Sequence, residues 1–387
     1  MNSNKSGYFT DELKISLMKR AIELAQKGIG LVEPNPLVGA VIALPDGKII
    51  SEGWHEKYQS NHAEAVALSK IDKIPPQAAL FVNLEPCAHS ANNPPCSDLI
   101  IAKKITQVIY GCIDQNPLVN GAGVAKLNQA GVIIEESKIT DECYNLNRVF
   151  FHHITSQKAY LAIKTATSLD GKIALLNSQS KWITNPKSRQ KVQQLRAFYQ
   201  AVAVGKNTLE IDNPHLNIKQ VNAPRQPVKI IFSSSGEIAT KLNFTDIGSQ
   251  SIGKKIIIAG NNVTDKSKRY LDQHNIMLIQ TAKRRPSIQE FLVELYKNKI
   301  FSVMLEGGQA LFTSAIKENQ VNYMHSFIAP KIMGSDALSS VGALGVSDIN
   351  QLNKQWKLIK IDKYDDDVYL EYQNLSLAKN PKQCPPP

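Results

Sequence analysis

His62-Ala63-Glu64, followed by Leu84-Glu85-Pro86-Cys87 and then by Pro94-Pro95-Cys96, is the part of this chain on which its fold turns. One histidine and two cysteines form the donor set of a catalytic zinc site, which takes three protein ligands and leaves a fourth position for water. Zinc lowers the pKa of that water toward neutrality and makes it a nucleophile. Glu64, two residues from His62, stands where a carboxyl can carry a proton without ligating the metal. Taken singly, these residues are ordinary. A histidine near a helix start is usually a cap or a surface group, and two cysteines nine positions apart are usually small core residues. Their order, and the proline before each cysteine, outweigh that reading.

The order His-x-Glu, Pro-Cys, Cys is that of the zinc-dependent nucleobase deaminases. Eight residues separate the cysteines here, where the usual motif has two. The flanking pattern predicts helices from His62 to about Ser69 and from about Pro95 to Lys103, so that His62 and Cys96 each fall near a helix N-terminus. Cys112 reads as core, while His55 and His89 have the chemistry to line the pocket.

Around this motif, helices and strands alternate. Thr10 is placed to cap a helix with apolar Leu13, Leu17, Ala21 and Leu24 on one face and Gly28 as its stop. Strands are expected at Leu37–Leu44, Ile49–Trp54, Ala78–Leu84, Gln107–Tyr110 and Val132–Glu135, with a further helix near Ala122–Gln129. The pattern implies an α/β sandwich with a largely parallel sheet. A second α/β pattern follows. It has strands at Ala159–Thr165, Ala201–Val204, Val228–Phe232, Lys255–Ala259, Ile276–Gln280 and Ser302–Leu305, and helices at Pro186–Phe198 and Ser287–Lys297. We therefore expect two domains, 1–147 and 148–387.

The charge divides at the same place. Residues 1–147 hold 13 Lys+Arg against 16 Asp+Glu, and residues 148–387 hold 32 against 18, so the net charge of +11 belongs to the second domain. Its lysines are scattered, and Lys283-Arg284-Arg285 lacks interleaved aromatics, which argues against a nucleic-acid surface and for anionic small molecules. Five cysteines, the absence of an apolar run near ~20 residues, and an N-terminus without a signal-peptide core imply reduced thiols and a cytoplasmic location.

The first 147 residues resemble the deaminase half of the bifunctional riboflavin-biosynthesis deaminase/reductase family. The matching stretches are Pro34-Asn35-Pro36-Leu37-Val38-Gly39, His62-Ala63-Glu64, Leu84-Glu85-Pro86-Cys87 with Pro94-Pro95-Cys96, and Asn116-Pro117-Leu118-Val119 with Gly121 and Gly123. The resemblance continues through Lys164–Gly171, Ser180–Thr184, Leu195-Arg196-Ala197, Val204-Gly205, Asn213-Pro214 and Ala329-Pro330. It implies a cytidine-deaminase-like α/β/α domain followed by a dihydrofolate-reductase-like α/β domain. Carried onto this chain, it makes His62, Cys87 and Cys96 the zinc ligands and Glu64 the proton donor. It gives NADPH the residues Ala166, Trp182, Thr208, Asp212, Ser234 and Gly308-Gln309-Ala310-Leu311-Phe312-Thr313-Ser314. It gives the phosphosugar Ser180, Arg196, Leu216, Lys219 and Glu306, with Arg196 suited to bidentate phosphate recognition.

The implied substrate is diaminohydroxyphosphoribosylaminopyrimidine, deaminated first and then reduced at its ribosyl group with NADPH. The expected partners are this phosphoribosylated pyrimidine and further copies of the chain, with neither nucleic acid nor membrane. Departures from the family pattern fall at Ala88–Asn93, Gln115, Lys219, Gln200, Ser233 and Asn322. The rival readings are a deaminase of another base carrying a non-reducing second domain, and an RNA-binding or RNA-editing protein.

Overall fold

The computed structural model describes residues 9–89, 94–177, 179–219, 221–238, 244, 253–352 and 355–378. The departures at 90–93 lie outside them. The chain divides after Ser156 into two compact units.

In the first unit, alternation along buried strands produces three layers. All five residues of Gly39–Ala43 are buried, and successive side chains point to opposite faces of the sheet. Val41 and Ala43 meet Leu17, Met18, Ala21 and Leu24 of the helix Asp11–Gln26. Ala40 and Ile42 meet Ala63, Ala67 and Leu68 of the helix Ala63–Ser69, together with Ile100 and Leu127. The strand order is 49–54, 39–43, 79–82, 107–110, 133–136. The pairs made by 39–43 are antiparallel and the remaining two are parallel, so the sheet is evenly mixed rather than largely parallel. The tight connection at Asp46-Gly47 makes 39–43 and 49–54 a hairpin, which forces that antiparallel start.

The first unit runs past the expected boundary of 147, to Ser156. The helix Arg148–Ser156 follows Thr140–Leu146, and its Phe150 and Phe151 pack with Phe9, Phe81, Cys143 and Tyr144 in the first unit's core. Charge balance marks a surface property, whereas these two rings decide where the core ends.

The second unit is built on a nine-stranded sheet ordered 277–280, 255–259, 228–232, 201–205, 302–305, 160–168, 323–329, 367–374, 356–364. Its first seven strands are parallel, and the last two add antiparallel. Its central strands are apolar on both faces, as a parallel sheet covered by helices requires. Among the described residues, no helix is long and apolar enough to cross a membrane.

Candidate active sites

The metal ligands come from three segments that the first sheet brings together. His62 is the N-cap residue of the helix Ala63–Ser69, and that helix can lie on the sheet because the strand beneath it carries Gly53. A Cβ there would stand 2.4 Å from the Ala63 carbonyl oxygen. Cys96 opens the helix Cys96–Ala102. Two backbone bonds tie it to Cys87: the Cys96 amide donates to Cys87 Sγ at 3.3 Å, and the Ser97 amide donates to the Cys87 carbonyl at 3.1 Å.

His62 Nδ1 lies 3.5 Å from Cys87 Sγ and 3.4 Å from Cys96 Sγ. All three donor atoms fall within 4.8 Å of one another. Tetrahedral zinc with ordinary Zn–N and Zn–S bonds sets N···S separations of about 3.6 Å. The residues present therefore fit zinc. The Cys96 thiol and the His62 ring hold the Cys87 thiol well below the usual thiol range, against the pull of burial, which favours a thiolate ligand.

Glu64 sits in the first turn of the same helix as His62, almost fully buried, beside Cys96 and outside the donor cluster. Burial pushes its carboxyl up to about 7. A carboxyl that changes protonation near neutrality is suited to proton transfer.

Around the cluster stand residues whose part the sequence marks only faintly. The His55 ring is buried and lies edge-on to His62, with centroids 5.9 Å apart. Its Nε2 is 3.1 Å from Asn35 Nδ2. The backbone around Asn35 is pinned from elsewhere. Asn83 and Asn147 both donate to the Leu37 carbonyl, Asn147 Oδ1 accepts from the Leu37 amide, and His153 Nε2 donates to the Pro34 carbonyl. The buried Glu85 carboxylate accepts from the amides of Asp114, Gly121, Gly123 and Val124, which organises the loop after Cys112. Cys112 is buried in the core, as its sequence context implies.

In the second unit, a cleft of about 1590 Å3 opens at the carboxyl ends of the parallel strands, where open α/β sheets place their ligands. Two glycine turns form its floor. Gly205 leads into the helix Lys206–Asp212 and Gly308 caps the helix Gln309–Lys317, with the Gly205 amide donating to the Gly307 carbonyl at 3.0 Å. A Cβ on Gly308 would stand 2.7 Å from Thr208 Oγ1, so a side chain there would have to displace that hydroxyl. Ala166, Trp182, Thr208, Asp212, Ser234 and Gly308–Phe312 all line the cleft, as do Ser180, Arg196, Leu216, Lys219 and Glu306.

Thr313 and Ser314 do not line it. Both hydroxyls are turned back onto their own helix, donating to the carbonyls of Gln309 and Ala310. Trp182 is 65% exposed, with the Arg189 guanidinium 4.5 Å from its ring centre, so it belongs to the cleft wall and not to the core.

The expectation of a free bidentate fork on Arg196 also needs correction. Its Nε and Nη2 donate to the two Glu306 oxygens at 2.6 and 2.8 Å, and its Nη1 donates to the Asn217 carbonyl. Lys164 stands 4.0 Å from the same carboxylate. Burial would raise the Glu306 carboxyl, but Arg196 and Lys164 hold it at about 2. Two cations thus surround one anion, leaving a net positive charge on the cleft wall. Lys164 is the residue that sequence reasoning passed over. Its signal was a lysine directly after the apolar run Tyr160–Ile163, within the same strand Tyr160–Ser168.

Comparison with known proteins accounts for both halves. Residues 159–370 match the RibD C-terminal domain, and residues 11–112 match the cytidine and deoxycytidylate deaminase zinc-binding region. The riboflavin biosynthesis protein RibD of Actinobacillus pleuropneumoniae is 37% identical over 96% of this chain and 98% of its own. That of Aquifex aeolicus is 36% identical over 94% and 99%. Among solved structures, a diaminohydroxyphosphoribosylaminopyrimidine deaminase/5-amino-6-(5-phosphoribosylamino)uracil reductase from Thermotoga maritima is similar with a TM-score of 0.79, 32% identity, and 94% and 99% of the two chains covered. RibD of Acinetobacter baumannii gives a TM-score of 0.78 at 29% identity, with the same coverage. Identity at this level, sustained through both units and matched by a metal cluster of the deaminase kind, means that this chain belongs to the RibD family of riboflavin biosynthesis proteins.

Proposed function

We propose that this chain carries out two consecutive reactions on one phosphoribosylated pyrimidine. The first unit removes an amino group from diaminohydroxyphosphoribosylaminopyrimidine by hydrolysis. The second reduces the ribosyl group of 5-amino-6-(5-phosphoribosylamino)uracil to ribityl with NADPH. A deaminase and a reductase acting on these two compounds are what the Thermotoga relative is named for. The observation that carries the reading is the His62–Cys87–Cys96 cluster with Glu64 buried beside it, joined in one chain to a cleft with a cationic wall.

His62, Cys87 and Cys96 would hold zinc, which when bound would supply a water activated near neutral pH. Glu64 does the proton work: its carboxylate would pass one proton of the attacking water to the ring nitrogen and the other to the departing amine, which leaves as ammonia. Because Glu64 is buried, neither proton is lost to solvent on the way.

Hydride transfer rests on positioning, since NADPH carries the reactive chemistry. Ala166, Trp182, Thr208, Asp212, Ser234 and Gly308–Phe312 hold the cofactor, with Trp182 offering it an indole face. Ser180, Arg196, Leu216, Lys219 and Glu306 hold the phosphosugar. Arg196 does so with the N–H groups that Glu306 and Asn217 leave over, and Lys164 adds charge beside it. Work on a small phosphorylated metabolite, by a protein whose cysteines at 87, 96, 112 and 143 are free thiols, belongs in the cytosol.

Glu64→Gln tests the first half. It is expected to abolish ammonia release, measured enzymatically, while zinc measured by atomic absorption stays at the wild-type level. An active Glu64→Gln protein would overturn the proton assignment.

A further inference from the structure

We propose that His55 is a positioning residue of the pyrimidine site: it holds the Asn35 side-chain amide in the orientation that presents its carbonyl oxygen to substrate. This rests on the deaminase reading above and adds a residue to it.

His55 Nδ1 lies 3.0 Å from the Asn61 carbonyl oxygen, which can only accept. Ser60 Oγ lies 3.4 Å from the same nitrogen and gives its own proton to the Lys57 carbonyl at 2.7 Å, so it too meets Nδ1 as an acceptor. Two acceptors at Nδ1 place the ring proton there and leave Nε2 with its lone pair. Asn35 Nδ2, 3.1 Å from Nε2, is therefore the donor. A side-chain amide has one nitrogen end and one oxygen end. Fixing the nitrogen on His55 turns Oδ1 away from the ring.

That oxygen has no partner among the described residues and is not closed off from solvent. It stands one ring away from the metal ligand His62. An unpartnered acceptor there complements a ligand rich in N–H donors, as an aminopyrimidine is. Side-chain bonds from Asn83, Asn147 and His153 to the Leu37 and Pro34 carbonyls hold the loop independently of His55. Among the described residues, His55 is the partner that sets the rotation of the Asn35 amide.

The test uses the full-length zinc-loaded protein, with ammonia release from the diaminopyrimidine phosphoriboside read as separate KM and kcat. His55→Phe keeps the ring that packs on His62 and removes both nitrogens. We expect an unchanged zinc content, a KM raised about tenfold and a kcat within about threefold, the size of one misdirected hydrogen bond. In an Asn35→Ala background, His55→Phe is expected to add nothing. His55→Gln, whose terminal amide oxygen reaches the place of Nε2, is expected to keep KM within about threefold of wild type. Multiplying effects of His55→Phe and Asn35→Ala, a lost metal in either His55 variant, or a His55→Gln protein as impaired as His55→Phe would each overturn the proposal. Wild-type protein that releases no ammonia would instead overturn the deaminase reading on which it stands.

Discussion

Glu306→Gln is the substitution whose consequence the structure defines best. The side chain is nearly buried, and both its oxygens are engaged by Arg196, with Lys164 4.0 Å away. Glutamine keeps the shape but leaves two buried cations facing a neutral amide. Breaking a buried ion pair from one side costs about 3–5 kcal/mol, because the partner charge stays desolvated.

The titration of Glu306 gives an independent figure. Its carboxyl is held at about 2 against an ordinary 4.5, and a difference of that size corresponds to about 3 kcal/mol. The folded-state pKa is depressed, so this stabilisation is fully present above about 4.5 and is lost as pH falls through about 2.

The assay is urea denaturation of the full chain in a Trp54→Phe background. Fluorescence then comes from Trp182 and Trp356, both in the second unit. At pH 7 the variant should lose about 3 kcal/mol relative to its parent, and the gap should narrow steadily below pH 4.5. A loss under about 1 kcal/mol, the range of a solvated surface pair, would refute the reasoning. So would a gap that does not shrink in acid.

Two further outcomes are expected. Phe151→Ala should destabilise the first unit by about 3–5 kcal/mol, read from Trp54 fluorescence, while the melt of the second unit stays in place; the reverse pattern would return the boundary to 147. Asp170 accepts from the amides of Met333 and Gly334 and from Ser168 Oγ, which holds its carboxyl at about 2. Asp170→Ala should therefore speed hydrogen exchange at Met333 and Gly334 at neutral pH, and unchanged protection would show that the carboxylate does not anchor that loop.

The metal site is legible in the sequence because its chemistry is local. His62 and Glu64 share one helical turn, and each cysteine carries its own proline. The strands around them are legible for a similar reason: runs such as Gly39–Ala43 and Ile256–Ala259 are apolar on both faces and allow no other reading.

Three strands at the sheet's far side escape sequence reasoning. Tyr323–Ala329 interleaves His325 and Ser326 with its apolar residues. Trp356–Tyr364 is a charged, half-exposed edge strand, and Asp367–Asn374 beside it mixes polar with apolar residues. His325 hides there because its partners are distant in sequence: Tyr199 and Tyr369 bond its two ring nitrogens at 2.8 and 2.7 Å and make it a core residue. Arg196 illustrates the same limit. Its type and position suggest a phosphate fork, but its neighbour Glu306, 110 residues away, already fills that fork. Pairings made by tertiary structure leave no local pattern to read.

The central claim is that one chain deaminates a pyrimidine and then reduces the product. The most direct measurement places purified zinc-loaded protein, the diaminopyrimidine phosphoriboside and NADPH in one tube, and follows ammonia and NADPH absorbance together. One NADPH should be consumed for each ammonia released, with ammonia leading. NADPH loss without ammonia, or neither signal with zinc bound, would contradict it.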